Sequence, residues 1–402
     1  MNKKIKNIIS FWIVTVCRLC FAATFIVSGF VKAADPLGML YKTNAYFSHW
    51  GHPFEDNSTL LSVFVVALSA LEFMLGIYIL LGIRKRTTTI VAFVTMLCMT
   101  ALTAYIYIYN PVADCGCFGT ALTLTNGQTL AKNIVLLTCA AILYKREHYL
   151  LRLISERNQW IVSLYSAAYI ILLSIYSFHY LPVVDFTDFK EGTNLRNAYY
   201  TPEEDTPPAL INFSCITDKD ELMTDSILQQ HSRVYLLTIP NMKTADNGCA
   251  DRINDIYDIC RDSCWGFYAI TAYNTDSSDI NNWVDCTGAS YPFLKADEDM
   301  IKSMVRSNPG LLLISNGVID KKWSNNNLPD IESVGQPEAA SFWTAHRYSL
   351  TLLLLWFVIP LSICIMSDRI WIGIKYYKHC VAKRIANIRL TCDDWAKKEA
   401  CT

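Results

Sequence analysis

The plainest chemistry in this 402-residue chain lies in two cysteines one glycine apart, within Asp114-Cys115-Gly116-Cys117-Phe118-Gly119. Cysteines at this spacing can close into a small strained ring when oxidised, and strain makes a disulfide easier to reduce. Gly116 and Gly119 supply backbone freedom. Asp114 is a candidate proton acceptor, although its own charge opposes formation of a neighbouring thiolate. The same residues also fit a plain structural disulfide, with each other or with another cysteine, or two idle thiols. Zinc fits worse: it takes about four ligands, the loop offers two, and His49 and His52 are distant in the sequence. No metal is assigned.

Fifteen cysteines is a high count. Cys17, Cys20, Cys98, Cys139 and Cys364 sit in apolar runs, where cysteine behaves as a small hydrophobe. Cys115, Cys117, Cys215, Cys249, Cys260, Cys264 and Cys286 fall in the connecting regions, and an odd set cannot pair completely within itself. Two charges stand inside apolar runs, Arg18 and Glu72. An unpaired charge at the middle of a span costs about 2.5 kcal/mol or more, so the two are expected to form a buried ion pair that orients spans one and two. A proton relay or a quinone-side role is the alternative.

The elements that must position these groups are membrane helices. Hydrophobic residues make up 52% of the chain and charged residues only 18%, which excludes a disordered chain and an ordinary soluble one. Runs at Ile8 to Val31, Leu60 to Ile83, Ile90 to Tyr109, Trp160 to Leu181 and Ser349 to Met366 are long enough to cross the ~30 Å hydrocarbon core. Leu130 to Tyr144 is shorter, but it lies among spans and ends on Lys145-Arg146, so it counts as a sixth. Basic groups at the N-terminus, at Arg84-Lys85-Arg86, at Lys145 to Arg157 and after the last span fall on one side of a six-span alternation. The positive-inside rule makes that side cytoplasmic. The basic C-terminal tail beside the membrane suits anionic lipid.

Charge also marks an insertion. From Pro182 to Ala345 there are 12 Lys and Arg against 25 Asp and Glu, and the rest of the chain holds 23 against 11. Pro202, Pro207 and Pro208 read as a linker. Beyond them strands at Val234 to Ile239, Phe267 to Thr271, near Phe293, Leu311 to Ile314 and Val318 to Trp323 alternate with helices at Ala245 to Cys260, Asp279 to Thr287 and Asp297 to Val305. Ser315-Asn316-Gly317 between the last two strands signals a hairpin. The fold class expected is therefore membrane all-α with an inserted extracytoplasmic α/β domain. The boundaries are a four-span module at 1–148, a fifth span at 160–181, the outer domain at 182–345, a sixth span at 347–367 and a basic cytoplasmic tail at 368–402.

Two resemblances follow. The Cys-Gly-Cys-Phe-Gly loop, with Arg18, Ser28-Gly29, Lys32, Asp35-Pro36, Glu72, Leu75-Gly76 and Leu81-Gly82, resembles the MauE branch of the MauE/DoxX-like membrane family over roughly residues 10 to 145. This resemblance implies disulfide chemistry during maturation of exported proteins. The segment from Ser307 to Gly317 resembles the part of thioredoxin-like folds in which a cis proline, here Pro309, precedes a strand, a turn and the next strand. A thioredoxin carries Cys-x-x-Cys after its first central strand. Here only Cys249 stands there, so the usual dithiol is missing and the domain is degenerate.

The reading is a multi-pass protein of a bacterial inner membrane, both termini cytoplasmic and residues 182–345 periplasmic, that takes part in thiol–disulfide exchange for exported proteins. Cys115 and Cys117 are the candidate exchanging pair, assisted by Asp114, with Cys249 a candidate relay. Quinone is a candidate cofactor; the partners are membrane lipid and an exported client or redox protein, with no nucleic acid. The competing classes are a non-enzymatic scaffold and a DoxX-like subunit of a respiratory or stress-related complex.

Overall fold

The computed structural model describes residues 3–51, 54, 58–111, 115–200, 213–217, 219–229, 233–334 and 350–399, with backbone alone at 3, 198, 200 and 383–399. Asp114, His52 and the prolines at 202, 207 and 208 lie outside the described residues. Among the described residues, six helices are long and apolar enough to cross a membrane. They fall where apolar runs force backbone groups to bond within their own segment.

Helix α1 (Lys3–Ala34) is followed at once by α2 (Pro36–His49), which lies in the connection between the first two spans. The break is written locally. The Asp35 carboxylate accepts from the Gly38 backbone N–H, and Pro36 occupies the first turn, where its missing donor costs nothing. Helix α3 (Thr59–Leu81) stops at Gly82 in the left-handed conformation. Helix α4 (Lys85–Tyr109) and helix α5 (Asn126–Lys145) enclose the Cys-Gly-Cys loop, and a reciprocal Thr125–Gln128 capping box starts α5. Helix α6 (Gln159–His179) completes the first five spans.

Exposed side chains such as Trp12, Val16, Leu60, Leu164 and Leu172 coat this bundle. In a span that is lipid contact. Buried Phe21, Phe25, Leu75, Met96 and Leu136 fill the interior between α1, α3, α4 and α5.

Between α6 and the last span stands a sheet flanked by helices. Short helices α7 (Leu195–Tyr200) and α8 (Thr224–Gln229) precede β1 (Arg233–Ile239). Then come α9 (Ala250–Asp262), β2 (Gly266–Ala272), α10 (Ser277–Thr287), β3 (Phe293–Ala296), α11 (Glu298–Met304), β4 (Gly310–Ser315) and β5 (Val318–Ser324).

The five strands lie in the order β3-β2-β1-β4-β5, parallel across β3, β2 and β1 and antiparallel from β1 to β4 and β4 to β5. Alternation assigns the two faces. Val234, Leu236, Leu312 and Ile314 pack with Met300 and Ile301. Tyr235, Leu237, Leu311 and Leu313 pack with Ile253, Ile256 and Trp283. Asn316 and Gly317 both take positive φ, 52° and 79°, as a type I′ hairpin requires. The Asn308–Pro309 peptide bond is cis.

Helix α12 (Leu350–Glu399) contains the sixth span and continues without a break through the basic segment expected as a separate tail. It is tied back where Asp368 accepts from the Ser155 N–H (2.8 Å) and the Asn158 amide (2.7 Å).

Candidate functional site

The Cys-Gly-Cys loop is short, and it is pinned at each step. Gly116 (φ 65°) and Gly119 (φ 56°) take left-handed conformations that favour glycine, and Gly119 N–H donates to the Gly116 carbonyl at 2.9 Å. Helix α1 holds the loop through Ser28, whose hydroxyl reaches the Cys117 carbonyl at 2.6 Å. Helix α2 holds it through Lys42, which donates to the Gly119 carbonyl at 3.0 Å, and through Asp35, which accepts from the Thr120 hydroxyl at 2.9 Å. From α5, the Lys132 ammonium lies 4.5 Å from the centre of the Phe118 ring.

This cage brings the Cys115 and Cys117 sulfurs to 3.3 Å. Their environments push them apart in acidity. The Cys115 thiol donates to Cys117, and burial adds to the effect, so Cys115 is held well above the usual thiol range. Cys117 receives that hydrogen bond and drops to about 6; burial opposes the drop, and the charges of Lys132 and Lys32 assist it. The pair is therefore arranged as a Cys117 thiolate with a Cys115 thiol beside it, the form in which one sulfur is a nucleophile at neutral pH.

Beneath the loop is a cavity of about 40 Å³ lined by Ser28, Lys32, Glu72, Cys117, Lys132 and Asn133 together with apolar neighbours. Its wall is mostly apolar, from Phe25, Met96, Met99 and Leu136, with a few polar groups, and it has room for a few water molecules. Lys32 and Glu72 form a buried ion pair at 2.5 Å, and the Ser28 hydroxyl lies 2.7 Å from the other Glu72 oxygen. Ser28 has one proton and two acceptors, Glu72 and the Cys117 carbonyl, so it links the ion pair to the loop by serving either.

The expected Arg18–Glu72 pair does not form. Helices α1 and α3 run antiparallel, so Glu72 sits level with Ser28 and Lys32, whereas Arg18 is level with the other end of α3 and donates to the Leu80 carbonyl. Ten residues of helix separate Arg18 from Ser28, about 15 Å along the axis. Charge type was enough to flag both residues but not to set the register.

In the α/β unit Cys249 stands immediately before α9, its sulfur 3.6 Å from the Asp246 carbonyl. Burial, reinforced by Asp246, pushes its thiol up to about 11. A thiol raised in this way supplies little thiolate at neutral pH. Burial pushes Cys215 and Cys260 up to about 12. The end of α9 separates buried Cys260 from exposed Cys264. No cluster of metal-binding side chains is present among the described residues.

Pro309 lies in the loop before β4, whose neighbour Asn308 accepts from the Asp246 N–H and donates to the Asn241 carbonyl at 2.7 Å. Three residues earlier, buried Arg306 reaches Asp35 at 3.3 Å. One carboxylate thus joins the start of α2, the Cys-Gly-Cys loop through Thr120, and the proline loop of the α/β unit.

Lys132, Thr120 and Arg306 were not singled out in the sequence. Lys132 had a signal: a lysine inside an apolar span is a functional candidate by default. Arg306 and Thr120 had none, since their partner is remote in the chain.

Geometry and composition together define a multi-pass membrane protein whose first four spans carry a paired-thiol loop and whose later part carries an α/β unit. Residues 10–146 match the family model for the methylamine utilisation protein MauE. Over that stretch, about a third of the chain, the sequence is similar to this family. No curated protein and no solved structure matches the chain.

Proposed function

We propose that the protein carries out thiol–disulfide exchange for exported proteins through Cys115 and Cys117. The observation that carries this reading is the asymmetric pair: sulfurs 3.3 Å apart, one stabilised as a thiolate by the other. In the forward step the Cys117 thiolate attacks a client disulfide. A Cys117–client S–S bond forms, the client S–S bond breaks, and one client thiolate leaves. Cys115 then gives up its proton to water and attacks Cys117, closing the Cys115–Cys117 disulfide and releasing the second client thiolate. Two electrons pass to the client; run backwards, the same steps oxidise a client dithiol.

The family match supports this placement, since its name ties the module to methylamine utilisation, and by resemblance to maturation of exported proteins. The basic clusters favour a bacterial inner membrane with both termini cytoplasmic and the thiol loop and α/β unit periplasmic. Strand order and the cis proline favour a thioredoxin-like fold for that unit. The raised Cys249 thiol favours a docking role over electron relay.

Replacing Cys115 and Cys117 together by serine is expected to leave the chain inserted in the membrane and to abolish mixed disulfides with exported proteins, read by thiol trapping in cells. Client oxidation states indistinguishable from wild type would overturn the exchange reading in favour of the scaffold.

A further inference from the structure

Exchange by two thiols has two halves, and the surroundings of this pair favour the first. While Cys117 is a thiolate, the Cys115 proton is held in the hydrogen bond between the two sulfurs, which keeps Cys115 from ionising. A client sulfur on Cys117 ends that arrangement, because a disulfide sulfur carries no charge to repel a second thiolate. Burial then remains as the force against ionisation of Cys115. Two groups oppose it: Lys132 on α5 through its charge, and Tyr46 on α2 through a side-chain hydrogen bond to Cys115.

Helix α2 holds Tyr46 in that place. Tyr46 is half-buried and stands one turn beyond Lys42, and residues four apart share a helix face. Both reach the same loop, Lys42 at the Gly119 carbonyl (3.0 Å) and Tyr46 at Cys115. At the start of the helix Asp35 accepts from Thr120, and just past its end the Trp50 indole N–H donates to the Tyr105 hydroxyl of α4 at 3.3 Å. The phenol is thus positioned by contacts on either side of it. A phenol keeps its proton to about pH 10, so at neutral pH it stabilises a thiolate by donating to it and does not serve as the base.

We propose that the Tyr46 hydroxyl is a catalytic donor to Cys115 in the second half of the exchange, an inference that rests on the exchange reading above. With the client joined to Cys117, the Cys115 thiol loses its proton to water, and Tyr46 donates to the sulfur as negative charge develops there. Cys115 attacks Cys117. The Cys115–Cys117 bond forms, the Cys117–client bond breaks, and the client thiolate leaves with the electron pair. Run backwards, Cys115 is the leaving sulfur, and the same hydrogen bond stabilises the thiolate it becomes.

The test uses the full chain in its membrane and oxidised glutathione as the probe disulfide. Acid quenching, alkylation and mass spectrometry of the loop peptide then follow Cys117 with time. Tyr46→Phe keeps the ring and removes the hydroxyl. In this variant glutathione is expected to join Cys117 at the wild-type rate and to stay there about tenfold longer, the effect of losing one hydrogen bond to a charged sulfur. The pH midpoint of the second half is expected to rise by about one unit, since a tenfold change in thiolate stability is one pH unit. Cys115→Ser, which cannot close the disulfide, marks the longest-lived mixed disulfide. A second half with wild-type rate and midpoint, a slower one whose midpoint is unmoved, or two halves slowed alike would overturn the role of Tyr46. If no glutathione joins Cys117 in the wild-type chain, the exchange reading itself falls and the role of Tyr46 with it.

Discussion

At the residue scale the decisive feature is the division of labour within one pair of thiols. Cys117 ionises near pH 6 because Cys115 donates to it, with help from Lys132 and Lys32, whereas Cys249 needs a pH near 11. At pH 7 Cys117 is then mostly thiolate and Cys249 is ionised to about one part in ten thousand. Alkylation of Cys117 is expected to fall as pH drops through about 6 and to level off above 7, the sign of a depressed thiol pKa. Removing one positive charge by Lys132→Met should raise that midpoint by about one pH unit, within the range for an opposite charge at short distance. The loss of reactivity is then largest between pH 6 and 7, and mass spectrometry of alkylated peptides across pH reads it. An unmoved midpoint would assign the depression to Cys115 and Lys32 alone. The thiol pair was legible from its spacing alone. Its acidity was not, because it depends on Lys132, fifteen residues away along the chain and brought under the loop only by the pairing of α4 with α5.

At the element scale the site depends on how closely α1 and α3 approach. A Cβ at Gly29 would sit 2.5 Å from the Phe73 nitrogen and 2.7 Å from the Ser69 carbonyl oxygen, and one at Gly76 would sit 2.8 Å from the Ile26 nitrogen. These are backbone atoms and cannot step aside, so small residues set the crossing distance. That distance lets Lys32 meet Glu72 and Ser28 reach both Glu72 and the loop. Gly29→Val is expected to destabilise the module by about 1–3 kcal/mol, the range for overpacking a filled interior, and to raise the Cys117 midpoint as the lining lysines move. Gly373→Val, where a Cβ meets nothing within 4 Å, should do neither. Thermal unfolding in detergent with the same alkylation profile compares the two. Spans and strands were readable because long apolar runs and period-two alternation are local signals. Helix α2 was not foreseen, since Pro36–His49 mixes polar and apolar residues without a clear stripe. The partner of Glu72 was not readable either. Register between two antiparallel helices is a property of the pair, and either helix alone leaves it open.

At the scale of the whole molecule, the α/β unit and the membrane module meet around one buried carboxylate. Asp35 is 2% exposed, and it accepts from Gly38, from Thr120 and from Arg306, which is itself buried. Lys302 and Arg306 also lie against the Tyr41 ring, at 4.8 and 5.7 Å from its centre. Breaking a buried ion pair by removing one partner typically costs about 3–5 kcal/mol, because the other charge remains without water. Arg306→Met is accordingly expected to be the severe change. Asp35→Asn is expected to be milder, because the amide oxygen still caps α2 and the amide NH2, in place of the other oxygen, can donate to the Thr120 hydroxyl. If the contact fixes the α/β unit over the thiol loop, the double variant should be less damaged than the two single losses added together, by about 1 kcal/mol or more, as for residues in direct contact. Thermal unfolding of the four proteins gives this coupling. Strict additivity would mean that the unit is held by its other contacts, such as Lys322 with Asp185, and that Asp35 serves only α2 and the loop. A coupled result, with Cys117 retaining its midpoint near 6 in the Arg306→Met protein, would establish that the unit is docked beside the thiols without setting their chemistry.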